Sequence, residues 1–325
     1  MAKSFIIIYS VTAFFGLFFL NRIFRLFGKS KYPLRSLLSF SLPLLLAGAL
    51  HQLMSYTDTF FIGFFLSASW VGIYNAALPL AYTLAIFLVA FNSLAYTLFS
   101  EYYAKGMLSE ISKLFSVLLR WLFACALPFF LLLVVYSKDL LKLFFGPEYI
   151  GGSTALILLS IGAFFNVIAG PVVIILQTFK KTRYIFKVQL TSALLNISLN
   201  IYLIPLMGIT GAAIATAASM ILWNAIFFIW SYYRLHPSLR VSYYFKYVLS
   251  GVGALLISVF LVRRILDPLG KSDLVVILAA FLISYSFFVL ILKAFSSDDL
   301  QIMLAFERKT GLNLSFFKRI FRFFL

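Results

Sequence analysis

Apolar residues run along this chain in long stretches that are too uniform for strands and too wide for one-sided surface helices. A bilayer core of about 30 Å takes roughly 20 residues of helix. By that measure nine segments qualify: 4–20, 37–66, 71–100, 117–136, 154–177, 184–207, 209–232, 245–265 and 273–294. The pattern predicts an all-α polytopic membrane protein with about nine transmembrane helices. The second and third segments exceed the bilayer and are expected to tilt, bend or extend beyond it. Pro79, Pro128, Pro171 and Pro205 fall inside segments, where neighbouring helices satisfy the carbonyls that proline frees. The first segment has the basic start and apolar run of a signal peptide. Asn21-Arg22-Ile23-Phe24-Arg25 follows it in place of a small-residue cleavage site, so a retained span is expected.

Composition sharpens this. The chain has 325 residues, 63% apolar and 11% charged, against roughly 45–50% and 25% in soluble domains. Disorder, a disulfide-stapled secreted fold and an ordinary cytosolic enzyme are excluded. The net charge of +17 would suit nucleic acid, but its distribution argues otherwise. Of 27 bases, 21 fall on alternate loops and the tail, and 6 on the opposite side. That bias places residues 21–36 and the C-terminus in the cytoplasm of a cell-membrane protein and Met1 outside, with no nucleic-acid partner. Cys125 is the only cysteine, and the two histidines, His51 and His236, are far apart. No metal, cofactor or disulfide is expected.

Three segments together resemble the polysaccharide-exporting flippases of the multidrug/oligosaccharidyl-lipid/polysaccharide superfamily. Residues 39–81 carry an apolar helix with a proline, an acid near one end, Gly63, a short hairpin and Val-Gly-Ile-Tyr-Asn-Ala-Ala. Residues 140–162 carry Phe-Gly-Pro-Glu-Tyr leading into a helix, and 196–219 carry Asn-x-x-x-Asn, Ile-Pro and Gly-x-x-Gly-Ala-Ala-Ile-Ala-Thr. The resemblance covers 37–294 and only the C-terminal half of such proteins, which are built of two six-helix lobes, sometimes with two further helices. It implies a MATE-like C-terminal lobe at 37–232 and two additional helices at 233–294. Residues 1–36 would then be the last helix of an otherwise missing N-terminal lobe with a basic linker. At 295–325 a basic amphipathic tail follows, whose Lys318, Arg319 and Arg322 alternate with phenylalanines in the manner of an interfacial helix on anionic lipid.

Asp58 is the one acid in the interior of a predicted span, Asp273 standing at the first position of the last, and a mid-bilayer acid costs about 2.5–3.5 kcal/mol on insertion scales. His51 lies seven positions earlier on nearly the same helix face, with Gln52 and Ser55 extending the polar strip. Such a strip either lines a hydrated cavity that binds a sugar, a proton or a cation, or packs as a hydrogen-bonded seam against another helix. Asn75 and Asn92 lie in one predicted span and are expected on one face, and amides suit hydroxyl-rich ligands. Asp58, His51, Gln52, Asn75 and Asn92 are therefore the cavity candidates. Asn166, Asn196, Asn200 and Asn224 read as interhelical glue, and Gly208, Gly211, Ala212, Ala215 and Ser219 as a close-packing stripe.

The resemblance implies flipping of a polyprenyl-linked oligosaccharide, by a chain expected to be a truncated or split half of the transporter. Its expected partners are the lipid-linked glycan, membrane lipids and a separate chain supplying the other lobe. Arg120 and Lys187, at span ends, are the bases available for a carrier diphosphate. The competing readings are a membrane enzyme of glycan assembly and a non-functional fragment. Asp139, Glu148, Asp267 and Asp273 are scattered and unpaired, which leaves the enzyme without an evident acid–base pair.

Overall fold

The structure is a computed structural model and describes residues 11–12, 14–20, 33–265, 271–294, 296, 299 and 307. About half of the predicted first span and most of the basic linker and the amphipathic tail lie outside the described residues. The chain divides into two compact units, Met1–Leu42 and Pro43–Leu325. In the first, residues 14–20 are helical and exposed, and residues 34–42 form the opening turns of the helix that continues through Phe65.

All described elements are helices: α1 (Leu34–Phe65), α2 (Ala68–Tyr82), α3 (Ala85–Ala104), α4 (Leu108–Val135), α5 (Ser137–Phe144), a 3-10 turn (Pro147–Gly152), α6 (Ser153–Ile168), α7 (Val172–Thr178), α8 (Thr182–Met207), α9 (Ile209–Leu235), α10 (Val241–Ile265) and α11 (Lys271–Ile291). Among the described residues six helices are long and apolar enough to cross a membrane, seven if the bent pair α2–α3 counts as one span. The α6–α7 pair with its 3-10 turn is one of the six, while the apolar part of α11, Val275–Ile291, is shorter. The chain is an all-α polytopic membrane protein.

Local chemistry explains the breaks. The predicted span 71–100 is two helices, bent by 43°. Pro79 cannot donate to the helical ladder and crowds the carbonyl one turn back. Four residues on, the Thr83 hydroxyl donates to its own backbone at Leu80 O, 2.7 Å away. Between α8 and α9 the reversal is tight: a Cβ on Gly211 would lie 2.3 Å from the Leu203 carbonyl oxygen. Only glycine permits that approach, and α8 and α9 pack along their lengths as an antiparallel pair.

Two apolar clusters fill the second unit. One gathers Ile62, Tyr74, Leu122, Leu156, Ile204, Ala212, Phe281 and their neighbours. The other gathers Ala47, Met54, Phe115, Ile175, Val188, Met220, Trp223 and Phe227. Along α1, α8 and α9 the chain passes from one cluster to the other, and at each passage a polar side chain is buried: Asp58, Asn196 with Asn200, and Thr216. By contrast α1 buries only Ala47, Met54, Asp58 and Ile62, at spacings of seven, four and four, a single narrow stripe. The α10–α11 pair is tied to α4 by Tyr136 Oη and Ser258 Oγ at 3.1 Å and by Tyr285, which donates to the Ala124 carbonyl at 2.8 Å.

Candidate functional site

Asp58 is 3% exposed and sits where four helices meet. Tyr74 of α2 donates its hydroxyl to Oδ2 at 2.5 Å, and Thr216 of α9 donates to the same oxygen. Asn200 of α8 donates Nδ2 to Oδ1 at 2.8 Å. A second layer closes the ring. Asn200 Nδ2 also reaches Asn196 Oδ1 at 3.2 Å, and Asn196 Nδ2 donates to Thr216 Oγ1 at 3.2 Å. The ion pairs among the described residues are Lys105–Glu101, Lys113–Glu110 and Arg120–Asp299. Asp58 is thus met by neutral donors and no cation. A buried carboxyl group needs such donors to offset its lost hydration.

Beside this network opens a cavity of about 290 Å³. Its polar lining is His51, Ser55, Tyr82, Asn166, Asn196 and Thr216, and its apolar lining includes Met54, Met220 and Trp223. Asn196 and Thr216 belong to both cavity and network, so a molecule in the cavity touches groups that hydrogen-bond Asp58. The His51 ring lies 5.1 Å from the Trp223 indole, tilted by 40°, and Asn166 Oδ1 accepts from Asn224 Nδ2 at 3.1 Å. The chemistry on offer is amide, hydroxyl and imidazole hydrogen bonding against an aromatic wall, a combination suited to hydroxyl-rich ligands. No group of three or more His, Cys, Asp or Glu side chains able to hold a metal occurs among the described residues.

The sequence candidates separate in space. Asp58 centres the network and His51 lines the cavity. Gln52 is exposed. Asn75 is exposed and accepts a hydrogen bond from Thr59 Oγ1 at 3.0 Å, outside the cavity. Asn92 is half-buried with an unpartnered Oδ1, also away from it. The shared face expected of Asn75 and Asn92 fails twice: seventeen residues at about 100° each stop about 100° short of five turns, and the 43° break between α2 and α3 interrupts the register. Asn196 and Asn200, read from sequence as glue alone, hydrogen-bond to Asp58 or to its partners. A signal for them was present: Gln189, Ser192, Asn196 and Asn200 fall on one buried face of α8. Tyr74, Thr216 and Trp223 carry no such signal.

Residues 43–202 match the MatE family. This segment is a MatE domain. It belongs to the multidrug/oligosaccharidyl-lipid/polysaccharide superfamily and contains Asp58, Tyr74, Asn196 and Asn200, with Thr216 just beyond it. The MatE-bearing chain is 27% identical to an uncharacterized membrane protein of Methanocaldococcus jannaschii over 276 residues, 82% of this chain and 52% of that protein. It is 30% identical over 168 residues to a Haloferax volcanii protein named a probable low-salt glycan biosynthesis flippase, covering 51% of this chain and 35% of the relative. A second Haloferax volcanii protein, named a probable flippase, is 28% identical over 175 residues, 53% of this chain and 37% of the relative. The matches span about half the length of these relatives or less.

Proposed function

We propose that this chain supplies one lobe of a flippase that carries a polyprenyl-linked oligosaccharide across the cell membrane, the lipid tail remaining in the bilayer. The observation that carries the reading is the polar cavity coupled to the Asp58 network inside an otherwise apolar helical bundle. Polar groups of this kind inside a membrane domain are expensive and mark pathways. The MatE domain and the names of the two Haloferax relatives support the same reading. The His51–Trp223 wall and the ring of Asn and Thr side chains fit sugar hydroxyls better than an apolar drug-like ligand. Alternating access by rocking of two lobes is the motion that such a site requires. The 21-to-6 distribution of bases supports a cytoplasmic C-terminus.

We also propose that a second helical lobe covers the exposed face of α1. Support lies in α1, which buries a single stripe yet exposes His51 and Gln52, polar groups that are costly against lipid. Reconstitution tests both statements. Vesicles containing the chain together with the membrane protein that co-purifies with it should move a fluorescent polyprenyl-diphosphate glycan to the outer leaflet, where dithionite bleaches it. Vesicles containing Asn166→Leu, which replaces a lining amide with an apolar group of the same shape, should not. Equal bleaching with and without the protein would overturn the transport reading. Transport by the chain alone would overturn the partner.

A further inference from the structure

Away from the cavity, the structure holds a buried charged cluster that the transport reading does not use. Arg120, 6% exposed, and Trp121 lie side by side on α4, and both donate to one oxygen, Oδ1 of Asp299, the indole at 2.8 Å. Asp299 is fully buried and belongs to the chain beyond α11. We propose that Arg120 and Trp121 form a seat for a phosphate group, which Asp299 fills as an internal, displaceable ligand. The proposal does not rest on the transport reading, since its geometry lies away from the cavity, although Arg120 is also a base that reading offers to a carrier diphosphate.

Three observations point to phosphate. First, the seat already holds an oxyanion, with guanidinium and indole donors converging on a single oxygen. Second, it is under-filled: Arg120 Nε is buried with no acceptor. The second carboxylate oxygen cannot serve it, because Asp299 Oδ2 is turned to the backbone N–H of Ser296 at 2.6 Å. A phosphate group carries more oxygens than a carboxylate and can meet the guanidinium edge and the indole together. Third, the charge is unbalanced among the described residues. Arg120 and Lys246 flank the same ring, with Arg120 Cζ 4.8 Å and Lys246 Nζ 5.6 Å from the Tyr243 centroid. One carboxylate offsets one of these cations, whereas a phosphate monoester brings a charge of about −1.5 to −2.

Displacement is also built into the backbone. Ser296-x-x-Asp299 has the spacing of a capping box, and Asp299 Oδ2 makes the return bond that such a box requires. Letting go of Arg120 leaves that local bond intact. The seat therefore exchanges one oxyanion for another while the departing segment keeps its own cap. Two contacts nearby, Lys246 Nζ to the Lys293 carbonyl at 3.0 Å and Tyr247 Oη to the Ala294 carbonyl at 2.7 Å, hold the chain just ahead of it.

Binding to the full chain in neutral detergent micelles tests this, with inorganic phosphate as one probe and phosphatidic acid as the other, phosphatidylcholine serving as control. Asp299→Asn, which weakens the internal competitor, should tighten binding of the active probe by about tenfold or more over wild type. Arg120→Gln should abolish binding in either background. In wild-type protein the active probe should accelerate Lys-C cleavage after Lys293. Response to phosphatidic acid alone assigns the phosphate to a lipid headgroup, and response to both probes assigns the seat to phosphate of either origin. Response to inorganic phosphate alone assigns it to a soluble source. Unchanged affinity in Asp299→Asn, or binding that survives Arg120→Gln, overturns the proposal. Where Asp299→Asn does not fold, cleavage at Lys293 that ignores saturating amounts of both probes overturns it on the wild type.

Discussion

Replacing Tyr74 by Phe probes the Asp58 network with the least collateral damage. Tyr74 is fully buried, so its ring packing persists and only the hydroxyl is lost. No donor is orphaned, and Asp58 keeps Thr216 and Asn200. The loss is then one hydrogen bond to a carboxylate, about 1.5–3 kcal/mol. For a chain of this size that corresponds to a fall in Tm of roughly 3–6 °C. The protein carries its own reporter: Cys125 is its sole cysteine and is half-buried, so a thiol-reactive fluorophore follows unfolding in detergent without an engineered cysteine. The decisive measurement is a double-mutant cycle with Asp58→Asn, where the two changes should couple by about 0.5–3 kcal/mol because they remove the same bond. Additive effects, or a Tyr74→Phe protein that melts with the wild type, would show that the hydroxyl does not stabilise the carboxyl group.

Three further outcomes follow from the same structure. Gly211→Ala should destabilise by about 1–3 kcal/mol or more, since its Cβ meets a backbone carbonyl that cannot yield, while Gly72→Ala, with open space around it, should not lower Tm in the same thiol assay. Asp58→Leu leaves the Tyr74, Thr216 and Asn200 donors buried without an acceptor and should cost about 3 kcal/mol or more, seen as a Tm drop well beyond that of Tyr74→Phe. With Cys125 replaced by Ser, a cysteine at Ala68 should react with an impermeant maleimide added outside intact cells; reaction only after permeabilisation would reverse the orientation read from the bases.

What the sequence made legible and what it hid divide along physical lines. Apolar runs announce bilayer-length helices because lipid imposes one length on all of them, and each described helix of that length falls on an expected segment. The α2–α3 break escaped because Pro79 alone is compatible with a straight or a bent span, and the turn at Thr83 is settled by a side chain choosing its own backbone. Asp58 could be recognised by its cost, and His51 by its spacing from it. Tyr74 and Thr216 were invisible as partners, since they lie 16 and 158 residues away and look like ordinary helix residues, while Asn200, 142 residues away, showed its polar face but not its partner. Arg120 was read as a base available to a carrier diphosphate; the structure pairs it with Asp299, 179 residues on.

The narrow stripe on α1 has a mechanical consequence. In lipid, a Leu or Phe gains little by facing a neighbouring helix instead of an acyl chain, so the apolar surface of α1 hardly distinguishes one rotation about its axis from another. Asp58 does distinguish them, because its two oxygens are satisfied in one orientation only. A turn of one residue, about 100°, would carry the carboxyl group away from all three donors. This helix is keyed like a shaft by one buried polar tooth, and loosening that tooth leaves the exposed Thr59–Asn75 bond and the His51–Trp223 ring contact to resist α1 spinning in place.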